Sequence, residues 1–161
     1  MSIEKVREHF TGLGIADRIM EFDVSSATVE LAAKAVGVEG ARIAKTLSFL
    51  LKDEPILIVV AGDGRIDNKK YKATFGAKAK MLSHDQAAEM IGHAVGGVCP
   101  FAVKETASVY LDESLNRFTT VFPACGSSNS AIELTIEELK KYSRYIKMVD
   151  VCKNWQNEEQ A

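Results

Sequence analysis

The sequence lacks any apolar run long enough to cross a membrane as a helix. Glu54-Pro55 and Gly62-Asp63-Gly64 interrupt the stretch 47–61 before about 18 apolar residues accumulate. Cysteine is scarce: Cys99, Cys125 and Cys152 are odd in number, widely spaced and without a C-x-x-C pair. That excludes a disulfide framework and fits a reducing compartment. The three histidines, His9, His84 and His93, are scattered without zinc-ligand spacing, so no metal is expected. A net charge of −2 leaves no general excess of positive charge for a wide nucleic-acid footprint. The glycines follow neither the P-loop nor the dinucleotide fingerprint, and no cofactor is expected. Met1-Ser2-Ile3-Glu4-Lys5 is charged and amphipathic rather than a signal segment, so the expected location is the cytoplasm.

What is present is ordinary for a globular protein: 161 residues, 47% apolar and 26% charged. Residues 1–152 read as one domain, and 153–161 as a polar tail with Trp155 its only large apolar residue. Ile3, Val6 and Phe10 mark a first helix ended by Gly12 and Gly14. A short strand over 17–23 follows, with Ile19 as a core candidate. Ser25 and Ser26 offer a cap to a helix carrying Val29, Ala32, Ala33 and Val36, closed by Gly37. Strands are expected near 42–51 and 56–61, then a helix over 68–75 stopped by Gly76. Ser83–Gln86 and Thr135–Glu138 are capping boxes starting helices to about 91 and 142. Further strands are expected near 108–111, 118–122, 131–134 and 146–149. No repeat or linker appears, and strands and helices intermix without regular alternation. The fold class is therefore mixed α/β with a largely antiparallel sheet.

Three local features point to a site. Gly92-His93-Ala94-Val95-Gly96-Gly97-Val98-Cys99-Pro100-Phe101 is a glycine-rich loop with Pro100 fixing one end, suited to presenting main-chain N–H groups to a polar ligand. Cys125-Gly126-Ser127-Ser128-Asn129-Ser130 is a second small-residue loop, either a plain turn or a second pocket wall. In the strand 42–51, period-two alternation aligns Lys45 with Ile43, Leu47, Phe49 and Leu51. Its ammonium must reach a cavity or partner, lose its proton, or snorkel to water at the strand's start. Cys99 invites a nucleophile reading, yet no histidine has a sequence-readable relation to it, and packing beside Pro100 is the simpler account. His93 reads as a loop residue. Lys69, Lys70, Lys72, Lys78 and Lys80 form either a solvated face or a small phosphate-contacting patch.

The order of these pieces resembles the YbaK and prolyl-tRNA-synthetase-associated editing domain family. It covers Ala44-Lys45-Thr46-Leu47, the Gly-Asp-Gly turn, the Lys-rich helix, Gly96–Pro100, Val109–Glu113, and Gly126 before Ile132-Glu133-Leu134. The resemblance extends from about residue 6 to 151. It implies helices around a curved mixed sheet, and hydrolysis in trans of the ester in mischarged aminoacyl-tRNA. The amino acid would be small, with proline tRNA a candidate carrier. Lys45 matches the family's lysine, residues 96–100 its G-x-x-x-P loop, and Gly126 its facing loop. The implied catalytic set is Lys45 with Gly96, Gly97 and Val98. Phe22, Cys99, Pro100, Phe101, Gly126, Ser127 and Ser128 would bind substrate, and Lys69, Lys70 and Lys72 tRNA phosphates. The implied partners are the aminoacyl-tRNA acceptor end and a synthetase. Phe22 and Ala131 stand where some cysteine-removing relatives carry tyrosine and aspartate, which argues against that branch. Two alternatives stay open: a non-catalytic module holding tRNA ends or a synthetase, and an unrelated hydrolase using Cys99.

Overall fold

The structure is a computed structural model that describes residues 2–93 and 97–153. Its elements are α1 (Ser2–Gly12), β1 (Met20–Glu21), α2 (Val29–Val36), β2 (Ile43–Leu51), β3 (Glu54–Ala61), β4 (Arg65–Ile66), α3 (Asn68–Phe75) and α4 (His84–Met90). They continue as β5 (Ser108–Asp112), β6 (Thr120–Pro123), β7 (Ser130–Ala131), β8 (Leu134–Thr135), α5 (Ile136–Ser143), β9 (Met148–Val149) and β10 (Cys152–Lys153). Among the described residues, no helix is long and apolar enough to cross a membrane.

The main sheet runs β8-β6-β2-β3-β5-β9. Its longest ladder, β2 with β3, is antiparallel over eight residue pairs, and β6–β8 is antiparallel too. The β2–β6, β3–β5 and β5–β9 ladders are shorter and parallel. Two small antiparallel pairs, β1–β7 and β4–β10, flank it. The result is the mixed α/β class expected from the sequence.

Both faces of the sheet are covered, as period-two burial along β3 shows. Leu57, Val59 and Ala61 join the core with Val6, Phe10, Ile91 and Leu139, while Ile56, Ile58 and Val60 join Tyr71, Phe49 and Cys152. A third cluster places Ala32 and Ala33 of α2 on Ile43 and Phe122. The β2–β3 turn is tight because Lys52 and Asp53 both take positive φ, the geometry that matches strand twist in a two-residue hairpin. Local chemistry sets several helix ends. Gly37 and Gly76 close α2 and α3, and the Ser83 and Thr135 capping boxes are both formed.

Four expectations are corrected. The segment 17–23 is a 3-10 turn at Ala16–Arg18 followed by the two-residue β1. Thr28, not Ser25 or Ser26, caps α2, accepting from the Leu31 N–H at 3.2 Å. The strand expected over 131–134 is split: β7 pairs with β1 and β8 with β6, and the Ile132 N–H donates to the Pro123 carbonyl between them. Lys153 belongs to β10 rather than to a tail; Trp155 lies outside the described residues.

Two features of this frame position a site. First, β6 accompanies β2 only at Ile43 and Ala44. Farther along, the segment before α4 takes over that edge: Leu50 N–H donates to the Lys80 carbonyl at 2.8 Å, and Leu82 N–H to the Ser48 carbonyl at 3.1 Å. The edge between is uncovered by any described strand. Second, the buried Asp112 carboxylate accepts from Ser114 and Val151 N–H, each at 2.9 Å, and so holds the C-terminal strand against β4 and α3.

Arg18 anchors the β1 side to α5 through two hydrogen bonds to Glu138, at 2.7 and 3.0 Å, and one to the Glu133 carbonyl. Glu138 also accepts from Thr135 N–H, so its pKa falls to about 2, chiefly through Arg18. A carboxylate depressed in the folded state adds stability above its unfolded pKa of about 4.3, lost as pH falls toward 2. Urea midpoints of the wild type should therefore drop more steeply over that window than those of Glu138→Gln. Parallel curves would show that the pair adds nothing.

Candidate active site

The uncovered edge of β2 opens into a cavity of about 510 Å³, the size of an ordinary small-molecule site. Its walls come from the start of α2, β2 itself, the Met81–His84 turn, Val98 of the glycine loop, and Ser130 beyond β6. The α2 wall is held by one acceptor. The Ser128 carbonyl receives the Ser26 N–H at 2.6 Å, with the Ser26 and Ser25 hydroxyls at 3.3 and 3.4 Å. These two serines therefore tie the α2 approach to the small-residue loop instead of capping the helix.

Lys45 lines this cavity. Its register partner is Val60, so its side chain leaves β2 on the face of Leu47 and Phe49, as alternation requires. It is half-buried, and among the described residues no hydrogen bond or ion pair reaches its ammonium. Burial lowers its pKa, an effect partly offset by Cys152 and by the Asp63 and Glu30 carboxylates, while Arg65 adds to the lowering. A cation so placed is available to a ligand. Beside it, the buried Thr46 hydroxyl has no protein partner.

The two small-residue loops meet directly. A Cβ on Gly97 would lie 2.6 Å from both the Gly126 carbonyl carbon and the Ser127 nitrogen, so no larger residue fits without moving backbone. Gly126 itself has φ of 91°, a conformation costly for any residue with a side chain. No described residue accepts from the N–H of Gly97 or Val98. Gly96 lies outside the described residues.

The remaining expected site residues divide. Cys99 and Phe101 are fully buried beneath the loop, where Phe101 packs edge-on against Phe10 with centroids 4.9 Å apart. Pro100 lines a different cavity, of about 380 Å³, with His9 and Tyr142. Phe22 does not line the main cavity; its N–H donates to the Asn129 carbonyl, and its own carbonyl accepts from the Asn129 amide. Ala131 does line it. The Ser127 hydroxyl stands 2.7 Å from that of Ser130, and Ser128 is exposed. None of the α3 lysines lines the cavity. Lys69 and Lys72 are exposed, whereas the Lys70 ammonium donates to Asp150 and to the Cys152 carbonyl, both at 3.0 Å. Sequence reasoning missed the hydroxyls of Thr28, Thr46 and Ser48 on the wall, whereas Ser130 belongs to the small-residue loop read as a candidate second wall. The polar even positions of β2 carried the signal for two of them.

Cys99 has a histidine after all: the His93 Nε2 lies 3.6 Å from its sulfur. The same Nε2 stands 2.7 Å from the Phe101 carbonyl, which fixes it as the protonated, donating nitrogen. It therefore cannot accept the thiol proton. Burial also pushes the Cys99 thiol up to about 12 and lowers the His93 pKa, so a thiolate–imidazolium pair does not form. Among the described residues no group of three or more His, Cys, Asp or Glu side chains forms a metal site.

The cavity thus brings together Lys45, Val98 of the glycine loop, and the hydroxyl-bearing residues Thr28, Thr46, Ser48 and Ser130. Residues 24–142 match the aminoacyl-tRNA editing domain, and the chain belongs to that family. It is 55% identical over 157 residues to the uncharacterized protein YwhH of Bacillus subtilis, covering 97% of this chain and all of that one. A candidate Cys-tRNA(Pro)/Cys-tRNA(Cys) deacylase, EbsC of Enterococcus faecalis, is 30% identical over 114 residues, 70% of each chain. The crystal structure of a candidate trans-editing enzyme for prolyl-tRNA synthetase superposes with a TM-score of 0.85 and 27% identity. That match covers 95% of this chain and 98% of the other.

All three cysteines are buried, and burial raises the pKa of each thiol. Iodoacetamide at pH 8 should leave the folded protein unmodified by mass and label three thiols in urea. Rapid labelling of Cys99 in the folded state would put a thiolate in the loop and revive the nucleophile reading.

Proposed function

We propose that the protein is a deacylase that hydrolyses the ester of mischarged aminoacyl-tRNA in trans, with residues 1–152 forming one editing-type domain. The observation that carries this reading is the unpartnered Lys45, sharing one cavity with the glycine loop whose Gly97 and Val98 N–H groups have no described acceptor.

Water adds to the ester carbonyl, the bond from that carbon to the terminal ribose oxygen breaks, and the proton from water ends on the freed ribose hydroxyl. The products are the amino acid and uncharged tRNA. Loop N–H groups, including that of Gly96, stabilise the oxyanion, each donor of this kind being worth about 3 kcal/mol. Lys45 neutralises charge on the terminal phosphate or on the tetrahedral intermediate. No protein nucleophile is needed, in keeping with the inert state of Cys99. Of the other expected substrate contacts, Gly126 and Ser127 act by seating the glycine loop, and Ser128 and Phe22 by shaping the facing loop. Pro100, Phe101 and Cys99 support it from beneath. Ala131 gives the wall an apolar patch, which suits a small acyl side chain better than one needing a carboxylate partner. Lys69 and Lys72 are free to meet phosphates farther along the tRNA.

Because burial disfavours the charged form of Lys45, removing the charge costs the fold nothing at neutral pH and relieves a desolvation penalty. Lys45→Met should melt no lower than the wild type, yet lose at least about tenfold in single-turnover deacylation, or ~1.4 kcal/mol of transition-state stabilisation. A folded Lys45→Met protein with wild-type rates would remove Lys45 from the site.

A further inference from the structure

The cavity mouth carries a feature that the catalytic chemistry does not use. Met81 is 59% exposed although it lines the cavity, and its main chain bridges to Phe49 of β2. Flanking hydrogen bonds from Leu50 to Lys80 and from Leu82 to Ser48 fix this short segment against the sheet. A large apolar side chain is thus held out toward water at the rim rather than tucked into either core. Lys78 and Lys80 stand immediately before it. Both are exposed, and among the described residues neither ammonium makes an ion pair or a side-chain hydrogen bond. They differ in this from Lys70, whose ammonium is committed to Asp150 and the Cys152 carbonyl; they lie within three residues of the cavity-lining Met81, whereas α3 contributes no residue to the cavity.

We propose that Lys78, Lys80 and Met81 form the nucleotide-binding rim of the cavity. Lys78 and Lys80 contact backbone phosphates of the unpaired 3′ end of an RNA, and Met81 is the surface on which a base of that end stacks. The inference rests on the deacylase reading and deepens it by naming where the nucleic acid enters. Its physical basis is the pairing that single strands require: cations for the backbone, and an apolar or aromatic surface for a base. A rigid support matters as well, because a stacking side chain on a mobile loop would lose more entropy on binding. With only two lysines involved, the footprint is small, consistent with a chain of net charge −2.

The test uses the full chain and a fluorescein-labelled RNA hairpin carrying the four unpaired 3′ nucleotides of a tRNA acceptor end, uncharged. Affinity is read by anisotropy across a salt series. Lys78→Ala/Lys80→Ala should weaken binding at least about fivefold and reduce the slope of log K against log salt by about one to two. Met81→Ser should weaken it at least about threefold with the slope unchanged, since no charge is lost. Lys141→Ala/Lys147→Ala, which removes the same charge from α5 and from the residue preceding β9, should change affinity less than twofold. Wild-type binding by the Lys78/Lys80 variant, equal weakening in the Lys141/Lys147 variant, or no binding of the hairpin by the wild type overturns the proposal. Thermal melts of each variant identify any loss due to unfolding, and Lys78→Gln/Lys80→Gln then replaces the alanine pair. Hydrolysis of aminoacyl-tRNAs charged with small amino acids is measured separately on the wild type. Its absence beside an intact binding pattern would sink the deacylase reading and leave the rim in place.

Discussion

Everything at the site depends on one close approach of two backbones. Gly97 rests on the peptide joining Gly126 to Ser127, with no room for even a methyl group between them. Fixing that contact orients the glycine loop, which contributes Val98 to the cavity wall. The same small-residue loop, through the Ser128 carbonyl, gathers the approach to α2 and sets the opposite wall. One loop therefore registers two walls that are far apart in sequence.

The second constraint is the incomplete pairing of β2. A strand in the middle of a sheet normally has both edges satisfied, and leaving main-chain groups unpaired costs free energy unless water or a ligand reaches them. Here β6 departs after Ala44, and the segment before α4 arrives only at Ser48. The interval between holds Lys45 and Thr46, whose ammonium and buried hydroxyl have no partner among the described residues. Polar groups left unsatisfied next to a cavity mark a place where the fold forgoes stability, and the ligand is the natural partner for them.

Much of the scaffold was legible from local chemistry. Gly76, Ser83 and Thr135 mark helix ends through interactions within a few residues, and alternation along 43–51 assigned Lys45 its face before any contact was known. What could not be read depends on long-range placement. Ser25 and Ser26 look like helix caps until the Ser128 carbonyl, about a hundred residues away, claims them. His93 and Cys99 are six residues apart, yet only the folded loop shows that they touch and that the Phe101 carbonyl silences the pair. Lys70 belongs to a run of similar lysines and is distinguished only by Asp150 and the C-terminal strand. The Thr28 hydroxyl carries no motif that marks it as a wall residue; it becomes one because β2 lacks a neighbour beside it.

The central claim is that this cavity cleaves an aminoacyl ester using water. The most direct measurement is ester loss from a panel of tRNAs, proline tRNA among them, each charged with a different small amino acid and incubated with the purified protein. The account predicts that at least one ester disappears well above its spontaneous rate, releasing free amino acid and intact uncharged tRNA. Spontaneous rates across the whole panel, from a protein that is folded, would contradict it.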